Sequence, residues 1–224
     1  MYKYEMHLHT SEGDNYADFS GAECVKMYRD AGYAGMVVTN HYEPRFFEWY
    51  ADELKGADHR GIIDRFLRGY YNARNEGEKL GFTVLAGAEV RFTDSENDYL
   101  VYGVDEDFFY KAPLLHLLDG PKGLIDILPQ GACVVQAHPF RNNMTVRDPG
   151  ILFGVEAYNG EMEPFRNVMA KTFAAYYTKP MTSGSDFHVA EDFAKGGIAT
   201  ARRITTPAEL CDLLRSGDYE LIEG

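Results

Sequence analysis

Tyr4-Glu5-Met6-His7-Leu8-His9-Thr10 opens the chain, and its reading decides the fold. On an extended strand, side chains at i and i+2 point the same way, so His7 and His9 project together while Met6 and Leu8 pack behind them. Lys3 and Glu5 share that parity and are expected to pair beneath the two histidines. Two adjacent imidazoles make half a metal site, so the question becomes how the other strands end.

Working outward, Gly35-Met36-Val37-Val38-Thr39-Asn40-His41 is a short apolar run that ends on a histidine. Phe82-Thr83-Val84-Leu85-Ala86-Gly87-Ala88-Glu89 ends on a glutamate, and Ala132-Cys133-Val134-Val135-Gln136-Ala137-His138 again on a histidine. Tyr99 to Val104 and Gly154 to Asn159 read as further strands, and Pro180 to Ser185 leads into Asp186-Phe187-His188. Between them lie helical patterns: Gly21 to Ala31, Ile62 to Leu80 with Gly81 as its stop, Pro164 to Tyr177, and Pro207 to Arg215. Strands that are apolar throughout imply a parallel sheet buried on both faces. About seven such strand-helix units predict a single domain over residues 1–224, closed or nearly closed as a barrel. An open doubly wound sheet is the second choice, but no Gly-x-Gly-x-x-Gly or phosphate loop supports it.

Composition narrows the function. A chain of 224 residues with a formal net charge of −13 argues against a general nucleic-acid surface, because phosphate-backbone affinity comes from clustered Lys and Arg. Bound divalent cations reverse that argument locally and admit a small anion. Cys24, Cys133 and Cys211 are widely spaced and form no Cys-x-x-Cys pair, so a disulfide framework is not expected and a reducing, cytoplasmic setting is. No segment reads as a leader or as a membrane span.

At the C-terminal ends of barrel strands, where sites are built, the chain places His7, His9, His41, Glu89, His138, Asp186 and His188. Five of the seven histidines fall there. Asp186-x-His188 repeats the spacing of His7-x-His9, so both pairs can face one opening. Buried imidazoles and carboxylates need partners, and divalent metal satisfies them together. Seven donors exceed one tetrahedral ion and suit two or three, with Glu89 able to bridge. Imidazole-rich ligation favours Zn²⁺, Mn²⁺ or Fe.

His-Leu-His-Thr at the start, Thr39-Asn40-His41, Gly87-Ala88-Glu89, Ala137-His138-Pro139 and Ser185-Asp186-Phe187-His188, in this order, resemble the PHP (polymerase and histidinol phosphatase) family. The resemblance implies a distorted (β/α)7 barrel with up to three metal ions, and a phosphoesterase. Carried over, His7, His9, Glu89 and Asp186 hold one ion, Glu89 and His138 a second, and His41 with His188 a third. Asp14, with Asn15 beside it, stands where the family's first loop often supplies a ligand. Asn40 replaces the family's usual aspartate, and Asp98 or Tyr99 stands where a further histidine is expected.

The expected reaction is metal-assisted hydrolysis of a small phosphorylated metabolite, a nucleotide or an amino-alcohol phosphate, with no protein nucleophile. Asp186 and His188 are the candidate catalytic residues; a metal-bound water, or His188 or His41 if not ligating, would protonate the leaving group. Arg141, three residues past His138, and Arg45, after the His41 strand, are candidate phosphate clamps. Two rivals remain: another metal-dependent hydrolase, and a non-catalytic metal-binding or regulatory domain, the latter suggested by Asn40. His59 and His116 end no strand and read as a helix-start residue and a packed histidine. The oligomeric state is not legible.

Overall fold

The computed structural model describes residues 1–224. Eleven strands run in chain order: β1 (Tyr2–Glu5), β2 (Gly35–Val38), β3 (His41–Tyr42), β4 (Thr83–Ala86), β5 (Ala88–Arg91), β6 (Asp98–Tyr102), β7 (Cys133–Gln136), β8 (Gly154–Asn159), β9 (Met181–Gly184), β10 (Gly196–Thr200) and β11 (Glu220–Glu223). Nine helices accompany them: α1 (Gly21–Asp30), α2 (Pro44–Trp49), α3 (Ala51–Leu54), α4 (His59–Phe66), α5 (Arg68–Leu80), α6 (Glu106–Lys111), α7 (Gly120–Ile127), α8 (Pro164–Tyr176) and α9 (Pro207–Ser216).

The strands form two hydrogen-bonded sheets, ordered β11-β10-β1-β2-β4 and β3-β5-β6-β7-β8-β9. Chain continuity joins them twice, because β2 runs on into β3 across Thr39 and Asn40, and β4 into β5 across Gly87. A third tie is the parallel bridge between Leu8 and Phe187, where His9 N–H donates to Phe187 O at 3.1 Å. The fold is thus mixed α/β, and the expected all-parallel order is broken. β6 runs antiparallel to both β5 and β7, and β10 antiparallel to β1 and β11. Residues 92–97 are too short a link for a crossover helix, so β5 and β6 can only pair as neighbours in opposite directions. This puts Arg91 directly opposite Asp98.

Local signals account for the helix ends. Ser20 and Glu23 form a capping box at α1, and Thr206 with Glu209 forms another at α9. Gly81 and Gly217 close α5 and α9 in the left-handed conformation. The long helix expected from Ile62 to Leu80 is divided at Leu67 into α4 and α5. One core packs Val25, Tyr28, Phe66, Tyr42 and Phe187 beneath α1, α4 and α5. A second gathers Tyr4, Met6, Leu100 and Val135 against Leu210, Leu213 and Leu214 of α9.

Beyond Glu5 the first strand's ladder stops, so His7 and His9 lie on extended chain just past β1. The Glu5 side chain sets that path: its Oε1 accepts the N–H of Met6 at 2.9 Å, of His7 at 3.0 Å and of Ser185 at 2.9 Å, and Oε2 accepts the Ser185 hydroxyl. The expected Lys3–Glu5 pair does not form. Lys3 is exposed above the Tyr33 ring, and Glu5 is buried among backbone donors instead.

Burial pushes the Glu5 carboxyl up from its ordinary 4.5 to about 7, against the pull of the Ser185 and His7 hydrogen bonds. Between those values the folded chain keeps a proton that the unfolded chain has lost, so this group's contribution to stability falls as pH rises through that window. Glu5→Gln removes the ionisation while keeping an acceptor oxygen. Urea unfolding at about pH 5 and about pH 8 should show the wild type losing on the order of 3 kcal/mol relative to the variant. Parallel pH dependence in the two proteins would refute this account of Glu5.

Candidate metal centre

The elements deliver side chains to one place from strand ends far apart in sequence. β3 pairs with β5 so that His41 lies opposite Glu89. His7 and His9 follow β1, His138 follows β7, and Asp186 and His188 follow β9. Asp14 comes from the loop behind Thr10, which is fastened by Asn40: the Asn40 Oδ1 accepts Thr10 N–H at 2.8 Å and its Nδ2 donates to Thr10 Oγ1 at 3.0 Å. Gly69 of α5 seats the same loop, since a Cβ there would lie 1.9 Å from Thr10 Oγ1.

Every predicted ligand reaches the cluster. His7, His9, Glu89 and Asp186 form one group of converging donor atoms, and His9, Asp14, His41 and His188 another. Glu89, Asp98 and His138 form a third, with Asp98 rather than Tyr99 as the member from β6. In the first group, Nε2 of His7 lies 3.2 Å from Glu89 Oε2 and 3.3 Å from Asp186 Oδ1, and Nε2 of His9 lies 3.3 Å from both. Donors bound to one tetrahedral ion at Zn-like bond lengths stand about 3.3 Å apart, the edge of such a tetrahedron. In the second, Asp14 Oδ2 sits 3.2 Å from His41 Nε2 and 3.1 Å from His188 Nε2.

A divalent ion fits these residues for a second reason. His7 Nε2, both ring nitrogens of His9, His41 Nδ1 and Glu89 Oε2 are buried and have no hydrogen-bond partner. Such groups are costly unless something takes their lone pairs. A divalent ion among them would take those lone pairs.

Residues around the donors hold them in aim. Glu156 of β8 is buried; its Oε1 meets His7 Nδ1 at 2.8 Å, turning Nε2 toward the centre. Its Oε2 accepts the His138 N–H at 2.8 Å and the Asn159 amide at 3.0 Å. Asn159 also donates to Asp186 Oδ2 at 3.0 Å. His138 and Asp186 both hold positive φ, 25° and 54°, a conformation side chains rarely adopt and one that the surrounding hydrogen bonds over-determine.

The electrostatics follow from burial of opposite charges. Burial opposes ionisation of His7, Asp14, His41, Glu89, Asp186 and His188, yet neighbouring opposite charges outweigh it. His41 is raised to about 9 by Glu89 and Asp14, and His188 to about 11 by Asp14, Glu161 and Asp186. Asp14 is held down at about 2 by His188, His41 and His9. Glu89 and Asp186 lie well below the usual carboxylate range, chiefly through His7 once burial is overcome. A metal taking up these imidazoles displaces protons, so its affinity weakens as pH falls.

A cavity of about 570 Å³ opens onto His41, Asp186 and His188 and is also lined by Arg45, Arg91 and Arg141. Arg45 lies half-exposed at its rim. Arg141 donates from Nη2 to Asp98 Oδ2 at 2.7 Å. Arg91, which sequence reasoning missed, carried no motif signal and becomes visible only through the β5–β6 register. His59 and His116 join none of the donor groups; His116 packs against Phe47 at 4.2 Å between ring centres, and burial lowers its pKa to about 4.

Residues 164–219 match the family model described as PHP-associated. No curated protein matches the chain. Among solved structures, the chain is similar to a two-domain protein from Bacteroides vulgatus ATCC 8482 containing a predicted PHP-like metal-dependent phosphoesterase, with 18% identity over 99% of this chain and 64% of that one and a TM-score of 0.70. It therefore spans less than two-thirds of that protein. A metal-dependent phosphoesterase, so described, from Bifidobacterium adolescentis ATCC 15703 is similar at 16% identity over 95% of each chain, with a TM-score of 0.55. Endonuclease Q, in complex with a 27-mer duplex substrate bearing an abasic lesion at the active site, is similar at 11% identity over 96% of this chain and 56% of that one, with a TM-score of 0.57. The family model covers only the segment from residue 164 to 219, and the solved structures share the fold of this chain.

The closeness of packing behind the donors is testable at Gly184, the last residue of β9. A Cβ there would lie 2.2 Å from His7 Cβ and 2.9 Å from Glu156 Oε1. Gly184→Ala should therefore cost about 1–3 kcal/mol in thermal unfolding and reduce bound metal, measured by elemental analysis. Full stability with full metal content would show that His7 is not packed as described.

Proposed function

We propose that the chain is a metal-dependent phosphoesterase acting on a small phosphorylated metabolite, a nucleotide or an amino-alcohol phosphate. The observation that carries this reading is the junction of two features. Orphaned imidazole and carboxylate atoms converge at tetrahedral spacing, and arginines line the cavity that opens onto them. In this reading His7, His9, Glu89 and Asp186 hold one divalent ion, and Asp14, His41 and His188 another; Zn²⁺, Mn²⁺ and Fe suit the donor set. The two sheets, tied by Leu8 and Phe187, act as one distorted (β/α)7-type barrel that presents the site.

When bound, such ions supply an acidified water and neutralise phosphoryl oxygens. The protein's own part is then to bind and orient. Arg141 and Arg45 draw the phosphate into the cavity, since guanidinium groups match phosphate oxygens. Asp186, braced by Asn159, and His188, whose Nδ1 lies 2.9 Å from the Asp186 carbonyl oxygen, face the same space. No protein nucleophile is required.

Purified protein loaded with Mn²⁺ or Zn²⁺ should hydrolyse p-nitrophenyl phosphate and at least one member of a panel of phosphorylated metabolites. An abasic-site duplex belongs in that panel, given the nuclease fold among the neighbours. Chelation should abolish turnover and the metal restore it. His9→Ala and Asp186→Asn should each lower it by at least about two orders of magnitude while circular dichroism keeps its wild-type form. Tight metal with no turnover of any phosphoester would mark a metal-binding domain instead, and turnover that survives chelation would sink the mechanism.

A further inference from the structure

The donor groups described above are not alike. The orphaned ligand atoms are His7 Nε2, His9 Nδ1 and Nε2, His41 Nδ1 and Glu89 Oε2, and among their residues only Glu89 is shared with the third group. In the third, Glu89–Asp98–His138, the His138 ring and both Asp98 oxygens are bonded within the protein. His138 Nε2 meets Glu89 Oε1 at 2.9 Å, and its Nδ1 meets Met144 Sδ at 3.4 Å. Both oxygens of Asp98 are held by arginine: Arg91 Nε donates to Oδ1 at 2.6 Å, Arg91 Nη2 to Oδ2 at 2.7 Å, and Arg141 Nη2 to Oδ2 at 2.7 Å.

That arrangement is built into the sheet. The β5–β6 register sets Arg91 across from Asp98, where opposite charges on facing strands reinforce one another. On its far side Arg91 Nη1 lies 3.2 Å from Glu43 Oε2, so the buried guanidinium is held between two carboxylates. A guanidinium so paired remains cationic. A divalent ion seated against Asp98 would have to approach two guanidinium groups already bonded to the same oxygens, and like charges repel strongly at such range.

We propose that this centre holds two divalent ions per chain, and that Arg91 and Arg141, fixed on Asp98, take the place of a third. The reading rests on the phosphoesterase assignment and adds to it. The guanidinium pair presents permanent positive charge to a substrate anion from a position that needs no metal. Arg91 is a positioning residue in this scheme, anchoring Asp98, while Arg141, about a third exposed, reaches the anion.

Metal content decides it without reference to turnover. Wild-type protein saturated with Mn²⁺ or Zn²⁺, desalted, and read by native mass spectrometry and elemental analysis should carry two ions per chain. Three ions would overturn the proposal and leave the phosphoesterase reading standing. Fewer than two would overturn the two-ion ligand assignment under that reading, and this one with it. In the double variant Arg91→Met/Asp98→His the count should rise to three; a count of two in a folded variant would show that arginine does not exclude the ion. Arg141→Ala leaves the Arg91–Asp98 pair intact. It should keep two ions but raise the concentration of inorganic phosphate needed for half-maximal binding in calorimetry by about tenfold. Unchanged phosphate affinity would overturn the assigned role of the pair.

Discussion

One carboxylate organises the centre. Glu89 Oε2 lies 3.2 Å from His7 Nε2, 3.3 Å from His9 Nε2 and 3.0 Å from His41 Nδ1, and Oε1 accepts from His138 at 2.9 Å. Four imidazoles from three different strand ends therefore share one buried acid. Its place is set by backbone: Glu89 N–H is bonded to the carbonyl oxygens of Thr39 at 3.2 Å and Asn40 at 3.1 Å, which locks the start of β5 to the end of β2. Burying such a group is unfavourable unless its partners are fixed beforehand. Much of the surrounding structure, from the Asn40–Thr10 clasp to the Glu156–His7 contact, is that prior fixing.

How far this was legible in sequence follows from the range of each interaction. The i, i+2 parity of His7 and His9, the apolar runs ending at His41, Glu89 and His138, and the mirrored Asp186-x-His188 are local patterns, and all these side chains meet in space. Asp14 was found through the resemblance alone, and it lies where that suggested, against His41 and His188. Strand direction was less accessible. Apolar content says that β6 is buried but not which way it runs; only the short link at residues 92–97 carried that information.

What remained hidden were pairings between residues with no sequence relationship. Arg91 and Asp98 look like two ordinary charges until the register sets them face to face. Glu5 seemed to want Lys3, two residues away and of the same parity; the backbone donors of Met6, His7 and Ser185 were nearer and better aligned. The positive φ of His138 and Asp186 is equally silent, because neither residue type announces a left-handed conformation as glycine does. Each case is a long-range constraint resolved by geometry.

Charge distribution gives the centre its selectivity argument. The chain carries 35 acidic side chains against 22 basic ones, so its average field repels anions. At physiological salt that field decays over about 8 Å, and the sign a ligand meets in the cavity is set by its nearest neighbours. There Arg45, Arg91 and Arg141 line the cavity together with Glu43, Glu161 and Asp186, so its walls are balanced in charge rather than acidic. Under the proposed function the anion would meet few cations, among them Arg91, fixed between Asp98 and Glu43.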